Sequence, residues 1–174
     1  MEVRFVAPDL RRLDEVATEA LALVLFEDER PLRREAGLVD WRLCGAISRL
    51  LLRGRASGRR GETVLLPGWP RLPFEKVFLF GAGSSAEFDD AVADGVVERM
   101  LSTLDAALVR GSTVSLPGRA TGRIEPDHAM KIFLGRAAMH PEQDHAYVIE
   151  PPEAARAMMP VVERERRREH ADEI

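Results

Sequence analysis

The chain has 174 residues and a mass of 19.4 kDa, a size that fits one domain and leaves little room for a two-domain enzyme. Hydrophobic residues make up 45% of the sequence and charged residues 31%, so we expect a buried core rather than wholesale disorder. The net charge of −4 provides no uniform field to attract a phosphate backbone, and we therefore expect no nucleic-acid partner.

Cysteine usage and hydropathy predict a cytoplasmic protein. Cys44 is the single cysteine, so no internal disulfide can form and no paired spacing indicates zinc or a redox dithiol. The first residues lack the long apolar core of a signal peptide, and no apolar run approaches the ~20 residues that cross a bilayer. We expect a soluble chain with no membrane contact.

Short apolar runs and amphipathic segments alternate in the first part of the chain. Residues 3–6 predict a short strand, and apolar residues then recur at helical spacing over 10–20. Residues 21–26 form an apolar run stopped by charged residues, which is typical of a strand buried on both faces. An amphipathic helix is predicted over 33–53, and we interpret Cys44 beside its apolar stripe as a packed thiol.

The next segment predicts two core strands and two loops. Residues 54–61 contain three glycines and three arginines and indicate a mobile basic loop. Residues 63–66 and 77–80 are compact apolar runs that predict core strands, and the proline-rich stretch 67–73 separates them. Trp69 lies among these prolines, and we expect it to be exposed and to contact a partner.

Strands continue to alternate with helices in the last part of the chain. A long helix is predicted from near Phe88, followed by a strand over 113–116 and a helix over 126–138. Residues 146–149 predict the last strand, after which Pro151 and Pro152 open a final helix. This alternation predicts an α/β layered domain. We expect the domain to span residues 1–162, with residues 163–174 as a charged helix end or tail.

Two loops that follow predicted strands are candidate ligand sites. The first contains Gly81, Gly83, Ser84 and Ser85 and precedes a long helix, where backbone amides can hold an anion. It lacks the third glycine of a dinucleotide fingerprint and the Lys-Ser/Thr of a P-loop, so a plain strand-to-helix turn remains the alternative.

The second candidate loop, residues 116–123, supplies two glycines and two arginines. Gly118 and Arg119 are the residues that we expect to contact a phosphate group. A flexible basic loop without a ligand is the alternative interpretation.

No catalytic or metal-binding pattern stands out. The serines lack a nucleophile motif such as Gly-x-Ser-x-Gly. The spacing of His140, Asp144 and His145 fits no standard zinc site, so a polar surface turn is the simpler interpretation. We expect no catalytic residue, no metal and no cofactor.

A likeness to a known family is carried by six blocks of the sequence, residues 25–32, 37–45, 48–52, 61–67, 77–81 and 116–119. Together they resemble the amino-terminal domain of the leucyl aminopeptidase family, peptidase family M17. The most specific block is Gly-Leu-Val-Asp-Trp-Arg-Leu-Cys-Gly at 37–45, and the likeness weakens after about residue 125.

The resemblance implies a macro-domain-like, three-layer fold with a central mixed, mostly parallel sheet flanked by helices. In this family a larger carboxy-terminal domain holds two metal ions and hydrolyses peptides. The motif that carries its metal ligands has no counterpart in a chain without any asparagine. No catalytic residue can therefore be transferred to this sequence.

The resemblance leaves three functions open. The first is a non-catalytic interaction or regulatory module that forms a homo-oligomer or binds a separate protein partner, and a two-fold dimer is the simplest form. Its candidate surfaces are the segment around Trp69 and the terminal helix near Met158 and Met159. The second function is a macro-like binder of a phosphate-bearing nucleotide such as ADP-ribose. An aminopeptidase or other hydrolase is the third.

Overall fold

The computed structural model describes residues 1–16 and 18–172. Six strands within these residues form one sheet in the order β1-β6-β5-β2-β4-β3. The strands are β1 Glu2–Val6, β2 Ala20–Leu25, β3 Thr63–Pro67, β4 Lys76–Gly81, β5 Gly111–Val114 and β6 His145–Ile149. All neighbouring pairs are parallel except β3 and β4, which are antiparallel at one edge of the sheet.

Helices cover both faces of this sheet. They are α1 Leu10–Asp14, α2 Arg34–Arg42, α3 Ala46–Leu52, α4 Asp90–Ala106, α5 Pro126–Ala137 and α6 Pro152–Asp172. The core on one face comes from α4, α5 and α6, and the core on the other comes from α1, α2 and α3. The predicted α/β fold with a central mixed, mostly parallel sheet between helices is confirmed.

The central strand β2 shows why the sheet needs a helical layer on each face. All six of its residues are buried. Ala20, Ala22 and Val24 belong to the core on one face, whereas Leu21, Leu23 and Leu25 belong to the other. Because side chains alternate across a strand, a continuous apolar run is stable only where both faces are covered.

The helix predicted over 33–53 is divided into α2 and α3. Cys44 and Gly45 separate the two helices with backbone φ angles of 54° and 76°, in the left-handed region that no right-handed helix accommodates. The Asp40 carboxylate accepts hydrogen bonds from the amides of Ile47 and Ser48, at 2.8 and 3.1 Å, and so caps the second helix. The prediction of a packed Cys44 is wrong, because this break turns the thiol to the exposed side.

Two other local predictions are corrected. The helix predicted over 10–20 ends at Asp14, and by Thr18 the chain is already approaching the strand, where the Thr18 hydroxyl bonds the Thr113 hydroxyl at 2.9 Å. The loop over 54–61, predicted to be mobile, is held by the Glu62 carboxylate, which accepts from two amides of the loop, those of Ser57 and Gly58.

The final helix continues through the boundary predicted after residue 162. α6 runs from Pro152 to Asp172 without a break at that position. Glu173 and Ile174, which belong to the predicted charged tail, lie outside the described residues. The division into a domain and a tail therefore stays a prediction. Among the described residues, no helix combines the length and apolarity that a membrane span requires.

Ile47 tests the packing of the divided helix. Its side chain is 0% exposed in the core beneath α3. We expect Ile47→Ala to lower the free energy of unfolding by about 2–5 kcal/mol, because the truncation leaves a cavity. Urea denaturation measures this change. The matched control is Leu52→Ala on the same helix, which should change stability by less than about 0.5 kcal/mol because Leu52 is 87% exposed. A loss below about 0.5 kcal/mol for Ile47→Ala would contradict the packing.

Candidate functional site

The loops that leave the carboxyl ends of β2, β4 and β5 enclose a cleft of about 310 Å³. These three strands are neighbours in the parallel part of the sheet, and ligands of open α/β sheets bind at this edge. The residues that line the cleft are Asp28, Glu29, Arg30, Arg33, Ser85, Ala120, Thr121 and Arg123. Three arginines and two carboxylates make the cleft polar, with an excess of positive charge.

A buried ion pair forms the base of this edge. The Arg119 guanidinium donates to both Glu150 carboxylate oxygens, at 2.7 and 3.2 Å, and to the Ile124 carbonyl at 2.7 Å. The Arg119 side chain is 14% exposed and that of Glu150 is 2% exposed. Arg119 was predicted to contact a phosphate, but its guanidinium is committed to joining the loop after β5 to the end of β6.

Gly81 and Gly83 are required by a close approach of the chain to itself. A Cβ at Gly81 would lie 2.0 Å from the Arg59 carbonyl oxygen, and Gly83 has a φ of +80°. The amide of Gly81 donates to the Glu62 carbonyl, and that of Gly83 donates to the Gly58 carbonyl. The loop that precedes β3 therefore already supplies acceptors for the amides that were predicted to hold an anion.

The Asp28 carboxylate of the same chain binds Ser85 in this loop. Asp28 accepts from the Ser85 amide at 3.0 Å and from the Ser85 hydroxyl at 2.7 Å. These hydrogen bonds from Ser85 lower the pKa of the Asp28 carboxyl. The Ser84 hydroxyl accepts from the Ala86 amide at 3.3 Å. Of these two serines, Ser85 is the one that lines the cleft.

Gly118 shapes the opposite wall. Its φ is +76°, and a Cβ would lie 2.4 Å from the Phe88 ring. Its carbonyl accepts from the Arg123 amide at 2.9 Å and from the Thr121 hydroxyl at 3.2 Å. Gly118 thus allows the turn that presents Thr121 and Arg123 to the cleft.

The three cleft arginines differ in whether their guanidinium groups already bind other groups of the chain. The Arg30 guanidinium donates to the carbonyls of Phe26, Glu29 and Ser57 at 2.7–2.9 Å. Within the described part of the chain, Arg33 and Arg123 form no ion pair and are exposed. Planar guanidinium groups suit phosphate oxygens, so Arg33 and Arg123 are the groups best placed to meet an anionic ligand.

Glu35 adds a second buried carboxyl group near the ion pair. It lies in the first turn of α2 and is 7% exposed. Burial raises the pKa of Glu35 to about 6, and the negative charge of Glu150 acts in the same direction. Sequence reasoning missed Asp28, Arg33, Glu35 and Glu150 as parts of this edge. The signal that could have found them is their position between β2 and the first turn of α2, or directly after β6.

The histidine-containing turn does not assemble a metal site. His140 contacts Asp105 through Nδ1 at 2.6 Å, whereas Asp144 binds Arg110 at 3.0 Å. In residues 1–16 and 18–168, no group of three or more His, Cys, Asp or Glu side chains is arranged to hold a metal ion.

The residues predicted for an interface have different exposures. The Trp69 side chain is 74% exposed and that of Met159 is 40% exposed. Met158 is 0% exposed, because it faces the core from α6. The proposal of Met158 as an interface residue is corrected accordingly, since its side chain cannot reach a partner.

Comparison with known proteins identifies relatives of the chain. The model of the cytosol aminopeptidase family, N-terminal domain, matches residues 22–136. Cytosol aminopeptidase of Pseudomonas aeruginosa is 38% identical over a region that covers 62% of this chain and 23% of that protein. A probable cytosol aminopeptidase of Azotobacter vinelandii is 35% identical over a region that covers 59% of this chain and 22% of that protein. The chain thus spans less than a quarter of the length of these curated relatives.

Solved structures share the fold at low sequence identity. A macrodomain of Trypanosoma brucei in complex with ADP-ribose has a TM-score of 0.71 and 15% identity, and the match covers 92% of this chain and 69% of that chain. The macrodomain of Thermus aquaticus DarG has a TM-score of 0.65 and 15% identity, with 86% and 98% covered. A mutant of tomato leucine aminopeptidase has a TM-score of 0.64 and 15% identity, with 91% and 35% covered.

The raised pKa of Glu35 predicts a pH-dependent stability. The native state holds the Glu35 proton up to about pH 6, and the unfolded state releases it near 4.5, so this group removes stability as the pH rises between these values. The free energy of unfolding of Glu35→Gln, taken relative to that of the unaltered chain, should therefore be higher at pH 7 than at pH 4. The increase should be up to about 2 kcal/mol.

Urea denaturation at both pH values measures this difference. Glu27→Gln is the matched control, because it removes an exposed carboxylate from the loop after β2 rather than a buried one. An identical effect of Glu35→Gln at pH 4 and pH 7 would show that Glu35 is not desolvated.

Proposed function

We propose that this chain, which belongs to the N-terminal domain family of the cytosol aminopeptidases, is a non-catalytic interaction module. In this proposal it assembles with other protein chains. The family match concerns the N-terminal domain alone, and the chain corresponds to 23% of a curated aminopeptidase. Hydrolysis of a leucyl anilide with added divalent metal, abolished by a chelator, would contradict the non-catalytic part of this proposal.

The observation that carries the proposal is the exposed edge of the sheet at β3. This strand pairs with β4 on one side, and its other side is an edge that can template pairing with another chain. Leu65 on β3 is 58% exposed, and Trp69, which follows the strand, is 74% exposed. A large aromatic side chain loses much apolar surface to water when a partner covers it.

A second copy of the chain is the simplest partner for this edge. Two β3 strands related by a two-fold axis would pair antiparallel and bury the same residues on both copies. Met159 on α6 is the other exposed candidate from the sequence. Met159 is a single exposed candidate on α6, whereas Leu65 and Trp69 are two exposed apolar side chains close together along the chain. We therefore favour the β3 edge.

Light scattering across a concentration series tests this assembly. We expect a mass near twice 19.4 kDa at tens of micromolar protein. Replacing Leu65 by Lys and Trp69 by Ala together should shift the mass to one chain, because the edge then carries a charge and loses its aromatic anchor. Leu108→Ala is the matched control, since Leu108 is 84% exposed elsewhere and should leave the mass unchanged. A mass of one chain for the unaltered protein would refute self-assembly.

A phosphate-bearing small molecule bound in the cleft is a second candidate function. It is supported by the exposed guanidinium groups of Arg33 and Arg123 at the carboxyl ends of the strands. Macrodomains of the same fold have been solved with ADP-ribose and with ADP. In this proposal Ser85 faces the ligand, whereas Gly81, Gly83, Ser84, Gly118 and Arg119 contribute by shaping the loops.

Thermal denaturation with ADP-ribose tests the second function. A ligand present at about 100 times its Kd should stabilise the native state by about 2.7 kcal/mol and raise the Tm. Arg33→Ala combined with Arg123→Ala should abolish this rise, because it removes the available guanidinium groups of the cleft. Arg156→Ala, an exposed position on α6, is the matched control and should keep the full rise. An unchanged Tm of the unaltered chain at millimolar ADP-ribose would exclude this function.

A further inference from the structure

A second depression lies on the face of the molecule covered by α2 and α3. A cavity of about 830 Å³ has Pro31, Leu32, Asp40, Trp41, Ser48 and Arg71 among its lining residues. An adjoining cavity of about 340 Å³ is lined by Arg30, Pro31, Leu32, Ser48, Leu51 and Leu52. The two share Pro31, Leu32 and Ser48, so they form one continuous depression, which we call the α2–α3 groove.

The α2–α3 groove offers large apolar side chains to solvent. Trp41 is 73% exposed and lines the larger cavity, and Leu52 is 87% exposed and lines the smaller one. Both belong to helices whose opposite sides supply the buried Val39 and Ile47, so their exposure is not required by the core. An exposed apolar surface of this kind marks an interaction site.

The groove is poor in negative charge, although the Asp14 side chain, which is 42% exposed, pairs with Arg42 at 3.0 Å. Asp40 is the one carboxylate among its lining residues, and its oxygens accept from the amides of Ile47 and Ser48 and from the Ser48 hydroxyl. Arg42 and Arg71 lie at one end and Arg30 at the other. An apolar floor therefore lies between arginine-bearing ends.

The sequence around the groove extends this positive charge. Residues 30–71 contain ten arginines and three acidic residues, a net charge of +7 in a chain whose total is −4. Each of the three acidic side chains is buried or hydrogen-bonded within the chain: Glu35 is buried, Asp40 caps α3, and Glu62 binds two loop amides. The acidic residues of this segment therefore do not offset its arginines, and the exposed carboxylate that pairs with Arg42 comes from Asp14 on α1.

We propose that the α2–α3 groove binds an acidic, amphipathic protein segment. Its apolar side chains cover Trp41, Leu32 and Leu52, and its carboxylates face the arginines at the two ends. An amphipathic helix laid into an apolar groove is a recurrent way to recognise such a segment. A nucleic acid fits less well, because Trp41 is the one aromatic residue that lines the groove, whereas single strands stack successive bases on several aromatic rings.

The groove is lined by residues 30–52 and by Arg71 from the segment after β3, and its test measures peptide binding rather than mass, so it does not depend on self-assembly. In a Trp69→Phe variant, Trp41 is the single tryptophan and reports on the groove by its fluorescence. The probe is a synthetic helical peptide with leucine at positions i, i+3, i+4 and i+7 and glutamate elsewhere. The comparison probes are the same peptide with lysine for glutamate and a single-stranded oligonucleotide.

We expect the glutamate peptide to give a saturable blue shift of the Trp41 emission and to bind at least about tenfold more tightly than the lysine peptide. Leu52→Asp and Arg71→Glu should each weaken this binding by about tenfold, and added salt should weaken it further. Arg156→Glu, an exposed charge reversal on α6, is the matched control and should bind as the parent does.

Three results would overturn the proposal. They are equal binding of the two peptides, binding of the glutamate peptide that is unaffected by Leu52→Asp and Arg71→Glu, and tighter binding of the oligonucleotide than of the glutamate peptide. The last result would identify the surface as one that binds a phosphate backbone. A chain that is monomeric in light scattering but binds the glutamate peptide would refute self-assembly and leave this proposal standing.

Discussion

The ion pair between Arg119 and Glu150 is the contact on which the carboxyl edge of the sheet depends. It is bidentate, almost fully buried and completed by the Ile124 carbonyl, so both charges are satisfied inside the fold. A buried pair of this kind is costly to break, because removing one partner leaves the other charge without compensation. It fixes the loop after β5 against the end of β6, and this loop carries Thr121 and Arg123 into the cleft.

The same edge is closed by the chain's own hydrogen-bond acceptors. Asp28 holds Ser85, Glu62 holds the amides of Ser57 and Gly58, and the loop carbonyls take the amides of Gly81 and Gly83. The backbone amides that a glycine-rich loop could donate to an anion therefore donate to acceptors within the fold. The proposed recognition of other molecules therefore rests on side chains at the surface: arginines in the cleft, Trp69 at the β3 edge and Trp41 in the α2–α3 groove.

Much of the fold could be predicted from the sequence, because β2 and β4 carry continuous apolar runs that only a sheet covered on both faces can bury. The division between α2 and α3 could not, since an apolar periodicity survives a break at Cys44 and Gly45 when Leu43 and Ile47 both return to the core. The candidate site was only partly predictable. The loops that meet at the edge were recognised, but Arg119 finds its partner 31 residues away at the end of β6, a pairing that no local pattern encodes.

A double-mutant cycle on this ion pair tests the account most directly. Arg119→Met, Glu150→Gln and the double variant are compared with the unaltered chain by urea denaturation. The account predicts that each single change costs about 3–5 kcal/mol and that the double variant loses less than the sum by at least about 1 kcal/mol, because the second change removes a charge already left unpaired. Additive losses within about 0.5 kcal/mol, or an Arg119→Met variant as stable as the unaltered chain, would contradict it.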